Sequence, residues 1–190
     1  GFECDRITHN ELMTSAGEEY TGHLLKGEYT LLWIATPGDW YVRTPGKRVS
    51  PHWQRIQNWI KRAANLQIKL VVYGPPGFLW KLPNMKDTIA DLKLNVAKMR
   101  LCHFSLRYDK SQSKPSGSYI QVATNLRLPQ RAWQCPCQLP IQDHVLDWYG
   151  QTDSQADWRR RVSRQLTAEL CHTLHTDLVN ASVSSVVILD

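Results

Sequence analysis

The sequence lacks the features that would place the protein in or across a membrane. It contains no stretch of about 18 consecutive apolar residues, the length that a transmembrane helix needs, and no secretion signal is visible. Its five cysteines are an odd number without the spacing of a disulfide framework, which favours a reducing compartment. We therefore expect an intracellular protein, cytoplasmic or nuclear, with no membrane partner.

The sequence also lacks the short motifs of two large enzyme classes. None of its ten glycines forms a Gly-x-Gly sequence, which lets a backbone approach a nucleotide-like cofactor closely. No Gly-x-Ser-x-Gly sequence is present, so serine-hydrolase chemistry has no nucleophile elbow to support it. Any catalytic function must therefore be argued from other residues.

Acidic residues are scarce in the middle of the chain, although the net charge is only +6. Residues 1–39 carry two basic and seven acidic side chains, residues 40–131 carry seventeen and three, and residues 132–190 carry four and seven. A segment this basic is typical of a surface that binds phosphates, so nucleic acid is the expected partner. A polyanionic protein partner and plainly solvated helix faces are the alternatives.

Apolar runs and helical periodicity mark eight elements. Ser50 and Pro51 begin a helix as N-cap and first helical residue. Asn84 is expected to cap a second helix, over 84–97, with Ile89, Leu92 and Val96 on its apolar face. The longest helix is predicted over 156–179, where Leu170 and Leu174 belong to a repeat of apolar residues at every fourth position. Strands are predicted over 29–35, 68–73, 99–106, 118–124 and 183–189.

The order of these elements predicts an α/β fold. Strands that alternate with helices favour a mostly parallel sheet with right-handed crossovers. The strands at 99–106 and 118–124, joined by a polar connector, are expected to form an antiparallel pair at the sheet edge. We expect a single domain over 1–190, with an irregular segment at 125–155 and a C-terminal helix and strand in 156–190.

Three segments resemble a known family. They are LLWIATPGDW (31–40), LVVYGPPGFLWKLPNM (70–85) and MRLCHFSLRYDKSQSKPSGSYIQVATNL (99–126). In order and in local sequence they resemble Rossmann-like S-adenosylmethionine-dependent methyltransferases, and are most similar to the cytosine-C5 methyltransferase-like domains of retroelement and viral polyproteins. The last segment resembles that family's Lys-Pro-Thr loop and its Thr-Asn strand end. The resemblance implies a methyltransferase-type sheet that ends in an antiparallel strand pair.

The same comparison implies that the family's chemistry is missing. The cysteine nucleophile would fall at Gly38 and the base-holding glutamate near Gly74, and glycine offers neither group. The family's Gly-x-Gly loop would precede Gly1, so S-adenosylmethionine is a cofactor that the resemblance suggests and the motifs do not support. The resemblance therefore implies the fold without the catalytic set.

The loop after the first predicted strand is the candidate nucleic-acid site. Trp40 and Tyr41 offer rings on which a base can stack, and three cations that can hold phosphates follow them, Arg43, Lys47 and Arg48. Asp39 is the only acidic residue of the loop and therefore its candidate catalytic residue. The alternative is a plain turn whose geometry Pro37 and Gly38 supply.

The last predicted helix begins with a second basic cluster. Arg159 and Arg160 lie in its first turns, where cations oppose the helix dipole. A bound anion would explain this placement, and we therefore add both residues to the candidate nucleic-acid site. Local compensation by Asp153 and Asp157 is the alternative.

Soft metal ligands form a candidate zinc site. Cys135, Cys137 and His144 lie close in sequence, and Cys102 lies within the predicted strand over 99–106. Zinc prefers thiolate and imidazole ligands, usually four of them. The alternative is buried thiols beside a surface histidine.

These observations lead to one hypothesis and two alternatives. The hypothesis is a catalytically degenerate methyltransferase-like domain that binds nucleic acid, or a partner protein or second subunit, through its basic surface. The first alternative is an active DNA or RNA methyltransferase whose cofactor loop lies outside this chain. The second is a structural or assembly module of a viral or transposon polyprotein.

Overall fold

The computed structural model describes most of the sheet and the helices that cover it. The described residues are 3–36, 50–74, 79–100, 102, 119–128, 167–168, 170–180, 182–183 and 185–189. Short 3-10 turns lie at Glu11–Met13 and Leu79–Lys81. The helices are α1 (Ser15–Lys26), α2 (Pro51–Asn65), α3 (Pro83–Asp91) and α4 (His175–Asn180). The strands are β1 (Glu3–Ile7), β2 (Leu31–Ala35), β3 (Lys69–Gly74), β4 (Asn95–Arg100), β5 (Tyr119–Thr124) and β6 (Ser185–Leu189).

The six strands form one sheet in the order β1-β6-β2-β3-β5-β4. The first four positions are parallel to one another, and Trp33 of β2 lies opposite Val71 of β3. Strand β5 runs antiparallel to β3 and to β4, which lies at the edge. The predicted fold class is confirmed: this is a Rossmann-like, methyltransferase-type α/β sheet with an antiparallel terminal strand pair.

Two apolar cores lie on opposite faces of the sheet. One contains Leu32, Ile34 and Val72 and the apolar faces of α1, α2 and α3. The other contains Trp33 and Val71 and is covered by the segment that bears Leu170, Leu174 and Leu178. Alternate residues of β2 enter opposite cores because successive side chains of a strand point to opposite faces. A sheet buried on both faces explains why β2 and β3 appear in the sequence as continuous apolar runs.

Helix α2 begins where the sequence predicts. The Ser50 side chain accepts a hydrogen bond from the Trp53 amide at 3.2 Å, and Pro51 is the first helical residue. The N-cap bond satisfies a backbone donor that the helix itself leaves unpaired. On its buried face lie Trp53, Ile56 and Ile60. The cap, the proline and the amphipathic pattern thus agree.

The prediction of a helix over 84–97 and a strand over 99–106 was wrong at the boundary between them. Helix α3 ends at Asp91, and β4 already begins at Asn95. The Leu94 amide bonds to the Ile89 carbonyl oxygen at 3.0 Å, and Lys93 has a φ of 50°. This is a Schellman motif, in which a residue in the left-handed conformation ends the helix.

Two further details of this region differ from the prediction. Val96, expected on the helix face, lies in β4 and is 43% exposed. Leu82 occupies the N-cap position of α3, while the Asn84 side chain donates to Gln57 Oε1 at 3.1 Å. Asn84 therefore links α3 to α2 instead of capping its own helix.

Strand β1 and helix α1 were not predicted. Four of the five β1 residues are exposed, and its sequence Glu-Cys-Asp-Arg-Ile shows no apolar alternation. Among the described strands it pairs with β6 alone, at the edge of the sheet. An edge strand without an apolar pattern gives the sequence signal of a loop.

The junction of β5 with β3 gives the Thr-Asn strand end a structural role. Thr124 Oγ1 donates to the Leu70 carbonyl oxygen, and Asn125 Oδ1 accepts from the Leu70 amide at 2.8 Å. The Asn125 amide also donates to the Ile68 carbonyl oxygen at 3.0 Å. These side chains continue the strand pairing beyond the last backbone partner of Val71.

Candidate functional site

The carboxyl ends of four parallel strands meet at one edge of the sheet, and the candidate site lies there. The ends are Ile7 of β1, Leu189 of β6, Ala35 of β2 and Gly74 of β3. Open α/β sheets bind their ligands at this edge, outside the strand whose connections reverse direction. In this sheet β6, the last of the described strands in the chain, lies between β1 and β2.

Thr36 and Gly74 close the edge between β2 and β3. The Thr36 amide donates to the Tyr73 carbonyl oxygen at 2.7 Å, and its hydroxyl donates to the same oxygen at 3.1 Å. A Cβ atom at residue 74 would lie 1.9 Å from Thr36 Oγ1 and 2.7 Å from the Thr36 carbonyl oxygen. Only glycine therefore fits at position 74 with this backbone.

His9 crosses the carboxyl end of β6 to reach β2. Its Nε2 lies 2.9 Å from the Ala35 carbonyl oxygen, and the side chain is buried, with 7% of the residue exposed. Because a carbonyl oxygen only accepts, Nε2 carries the proton of this hydrogen bond. The sequence analysis missed His9, since a single histidine outside any spaced motif gives no signal.

The carboxylate of Glu11 follows His9 two residues later in the sequence. Glu11 Oε2 accepts hydrogen bonds from the Thr8 amide and the Thr8 hydroxyl, both at 2.8 Å. Glu11 is exposed, and it lies four residues after Ile7, the last residue of β1. In dinucleotide-binding Rossmann folds an acidic residue near the equivalent strand end binds the ribose hydroxyls.

On the other face of the sheet, aromatic and hydroxyl groups lie beneath the same edge. The rings of Trp33 and Tyr73 meet edge to face, with centroids 5.9 Å apart. The Tyr73 hydroxyl and Thr167 Oγ1 are 2.6 Å apart, a bond that ties the last helical segment to β3. The Trp33 indole nitrogen is buried without a hydrogen-bond partner in the part of the chain that the structure describes.

Two of the described thiols, Cys4 and Cys171, lie where the thiolate form is disfavoured. Burial raises the pKa of Cys171 to about 11, and burial followed by the nearby Asp5 carboxylate raises the pKa of Cys4. A thiol is nucleophilic as its thiolate, so a raised pKa makes these two sulfurs unreactive at neutral pH.

Several cations of the basic segment serve the fold. Arg55 Nη1 donates to the Leu12 carbonyl oxygen at 2.6 Å, and Arg62 Nη2 donates to the Leu25 carbonyl oxygen at 2.9 Å. Both side chains leave α2 and satisfy carbonyl groups around α1. The charge count therefore overstates the number of cations available to a ligand.

Other cations of the segment gather around an aromatic ring. Lys98 Nζ lies 5.6 Å from the centroid of the Tyr119 ring, and Arg100 Cζ lies 5.7 Å from it. These distances are typical of cation–π contacts. Lys98 is exposed, and Arg100 and Tyr119 are half-buried.

The predicted nucleic-acid and catalytic residues lie outside the described residues, and their roles stay predictions. They are Asp39, Trp40, Tyr41, Arg43, Lys47, Arg48, Arg159 and Arg160. For the first six of these residues, the structure shows only where their loop begins. Thr36 leads into that loop from the carboxyl end of β2, at the edge described above.

The zinc site also stays a prediction. Cys102 is buried, whereas Cys135, Cys137 and His144 lie outside the described residues. Among the residues that are described, no three histidine, cysteine or acidic side chains are grouped so as to hold a metal ion. Metal analysis of the purified protein tests this prediction.

The residues at the edge do not form a complete site for S-adenosylmethionine. The sequence has no Gly-x-Gly, Thr36 fills the space at Gly74, and the Glu11 carboxylate is bonded to Thr8. We therefore assign no step of a reaction to this cofactor.

Comparisons with known proteins add a distant structural likeness. No protein-family model and no curated protein sequence matches the chain. Among solved structures, "crystal structure of M1.HpyAVI-SAM complex" is similar over 100% of this chain and 94% of that one, with 10% identity and a TM-score of 0.40. A likeness this distant carries no information about the activity of this chain. Across the described ranges, no helix is long and apolar enough to cross a membrane.

Proposed function

We propose that this chain is a methyltransferase-like domain without the catalytic set for cytosine methylation, and that it binds nucleic acid through its basic middle segment. The observation that carries the first half is the contact between Thr36 and Gly74. Where the resemblance puts the base-holding glutamate, the backbone of β3 lies so close to Thr36 that a Cβ atom would overlap its hydroxyl oxygen.

The charge distribution supports the second half. Residues 40–131 carry seventeen basic and three acidic side chains. Arg55 and Arg62 are engaged within the fold, but in the sequence after Thr36 the cations Arg43, Lys47 and Arg48 follow two aromatic residues. Cations provide affinity for phosphates, and rings stack on unpaired bases.

Salt dependence of binding tests the nucleic-acid half. Each phosphate contact contributes roughly 0.7 to the slope of log affinity against log salt for a single strand, and about 0.9 for a duplex. We expect a slope of at least about 2, corresponding to the three loop cations. A slope near zero would exclude phosphate contacts, and unchanged RNA binding after Arg43, Lys47 and Arg48 are all replaced by Glu would remove the loop from the site.

An active methyltransferase with its cofactor loop outside this chain is the second candidate. It is favoured by the position of β6, which lies between β1 and β2, where a Rossmann sheet has the strand that leads into the cofactor loop. A loop leaving β6 would follow Leu189 in the chain, whereas the resemblance alone suggested one before Gly1. In this candidate Glu11 would bind the ribose of S-adenosylmethionine, which would supply the methyl group.

Calorimetry with S-adenosylmethionine separates the two candidates. The first predicts no submicromolar binding by this chain, because the backbone cradle is missing. Submicromolar binding that is lost in Glu11→Gln would favour the second. If neither the cofactor nor nucleic acid binds, the remaining hypothesis is an assembly module of a viral or transposon polyprotein.

A further inference from the structure

The terminal strand pair has one partly exposed face, on which Lys98 is exposed and Arg100, Tyr119 and Gln121 are half-buried. In the β4–β5 register Arg100 lies opposite Tyr119, and Lys98 lies opposite Gln121. Their neighbours on the opposite face, Ala97, Met99, Ile120 and Val122, are buried in the second core. Because strand side chains alternate, Lys98, Arg100, Tyr119 and Gln121 share the other face. We call these four residues the hairpin face.

The hairpin face is cationic and aromatic. Lys98 Nζ and Arg100 Cζ lie 5.6 Å and 5.7 Å from the centroid of the Tyr119 ring. The sequences of the two strands, Asn-Val-Ala-Lys-Met-Arg and Tyr-Ile-Gln-Val-Ala-Thr, contain no acidic residue. Both positive charges are thus held beside one ring.

The position of the hairpin face connects it to the candidate site. Gln121 is paired with Gly74, the last residue of β3. Because β5 runs antiparallel to β3, Tyr119 lies two residues beyond that pair, in the direction of the carboxyl edge. The loop that follows Thr36 begins at the same edge, from the strand next to β3.

We propose that the hairpin face binds single-stranded nucleic acid, with a base against Tyr119 and phosphates at Lys98 and Arg100. The proposal rests on the proposed nucleic-acid function and assigns it to residues that the sequence did not indicate. An aromatic ring on an exposed sheet face flanked by cations suits unpaired bases, whose rings are free to stack. Bases in a duplex are already stacked on each other. An acidic peptide would need the two cations but not the ring.

Fluorescence anisotropy with a labelled twelve-residue oligodeoxythymidine tests the proposal. We expect Lys98→Gln/Arg100→Gln to weaken binding by at least tenfold and to lower the salt slope by about 1.4, the value for two single-strand phosphate contacts. Tyr119→Val keeps a strand-forming residue and removes the ring, and should weaken binding about tenfold while leaving the slope unchanged. Thermal melts check that each variant is folded.

The matched control removes the same charge elsewhere. Lys61 and Lys86 are exposed on α2 and α3, and Lys61→Gln/Lys86→Gln should weaken binding less than threefold. An equal loss of affinity in this control would mean that net charge alone explains the weaker binding, and it would overturn the proposal. So would unchanged binding by Tyr119→Val, and if polyglutamate then competes with the oligonucleotide the face binds acidic peptides instead.

The outcomes also separate this proposal from the proposed function. If the wild-type chain binds the oligonucleotide and the hairpin variants bind equally well, the hairpin face is excluded and the loop at 37–48 remains. If the wild-type chain binds neither single-stranded nor double-stranded nucleic acid, both proposals fail.

Discussion

Thr36 lies against Gly74 so closely that its hydroxyl oxygen is 1.9 Å from the place a Cβ atom would take at residue 74. Two hydrogen bonds hold Thr36 in this position, because its amide and its hydroxyl both donate to the Tyr73 carbonyl oxygen. Separating the two residues would break this pairing at the end of β2. The contact thus fixes the shape of the sheet edge and leaves no space for a side chain at residue 74.

Gly74→Ala is expected to destabilise the protein by roughly 1–3 kcal/mol, the usual cost of overpacking a well-packed site. The Cβ would approach both a hydroxyl oxygen and a backbone carbonyl oxygen of Thr36, and the carbonyl cannot rotate away. Equilibrium unfolding in urea measures the change.

Gly22→Ala is the matched control. Gly22 lies in α1, and a Cβ added there would have no atom within 4 Å. Alanine is favoured over glycine in a helix interior by about 1 kcal/mol, so this variant should gain stability. Equal effects of the two substitutions would contradict the close contact at the sheet edge.

Arg55→Met should cost about 1–2 kcal/mol of stability, because it removes a charged donor from the Leu12 carbonyl oxygen. Methionine keeps most of the apolar stem. The ion pair of Arg55 with Glu18, at 3.8 Å and with Glu18 72% exposed, is a surface pair worth about 0–1 kcal/mol. Urea unfolding of Arg55→Met and Glu18→Gln separates the two contributions.

The same variant tests the division of the cations between fold and ligand. Since Arg55 serves α1, Arg55→Met should leave oligonucleotide affinity within about twofold of wild type once the variant is shown to be folded. A loss as large as that of Lys98→Gln/Arg100→Gln would place Arg55 in the binding surface and contradict the structural role.

Where local sequence and tertiary packing agree, the sequence predicted the fold well. The apolar runs at Trp33 and Val71 indicated buried strands, and these are adjacent and parallel in the sheet. Ser50 and Pro51 indicated the start of α2 within one residue. The position of β6 between β1 and β2 was beyond reach, because it depends on which strand edges remain open after the other elements pack.

The end of α3 was predicted poorly because, like the ends of α2 and α4, it lacks glycine. The positive-φ residue after α1 is Gly27, whereas Gln67, Lys93 and Ser182 take this conformation after the other helices. A left-handed conformation at these side chains costs roughly 1–2 kcal/mol. The sequence therefore has no glycine at Lys93 to mark the end of the helix, and the predicted helix ran on into β4.

Lys93→Gly should stabilise the protein by up to about 1 kcal/mol. Glycine removes the strain of the left-handed conformation, and the greater freedom of the unfolded chain offsets part of the gain. Lys93→Val, with its β-branched side chain, should be destabilising. Urea unfolding of the pair checks the sign, and a destabilising glycine would contradict the Schellman ending.

The candidate site was predictable in place but not in composition. A strand ending at Ala35 before a loop rich in turn residues indicated the carboxyl edge. His9 was missed because its hydrogen bond reaches across β6 to Ala35 of β2. Both strands are distant from His9 in the sequence. The hairpin face was missed because Arg100 and Tyr119 meet only through strand pairing.

His23 and Glu28 should give the stability a defined pH dependence. The hydrogen bond between His23 Nδ1 and Glu28 Oε2 raises the pKa of His23 above its ordinary value of 6.5 and lowers the pKa of Glu28 below its ordinary value of 4.5. The contribution of His23 is complete below pH 6.5 and is lost as the pH rises through its folded pKa. The contribution of Glu28 is complete above pH 4.5 and is lost as the pH falls through its folded pKa.

The pair therefore stabilises the fold most between pH 4.5 and 6.5. The effect should be small and weakened by salt, because both side chains are exposed to solvent. NMR titration of the His23 ring should show a raised pKa that returns toward 6.5 in Glu28→Gln. A His23 pKa that is the same in the wild type and in Glu28→Gln would mean that the pair does not form in solution, and the pH dependence would then have to come from other groups.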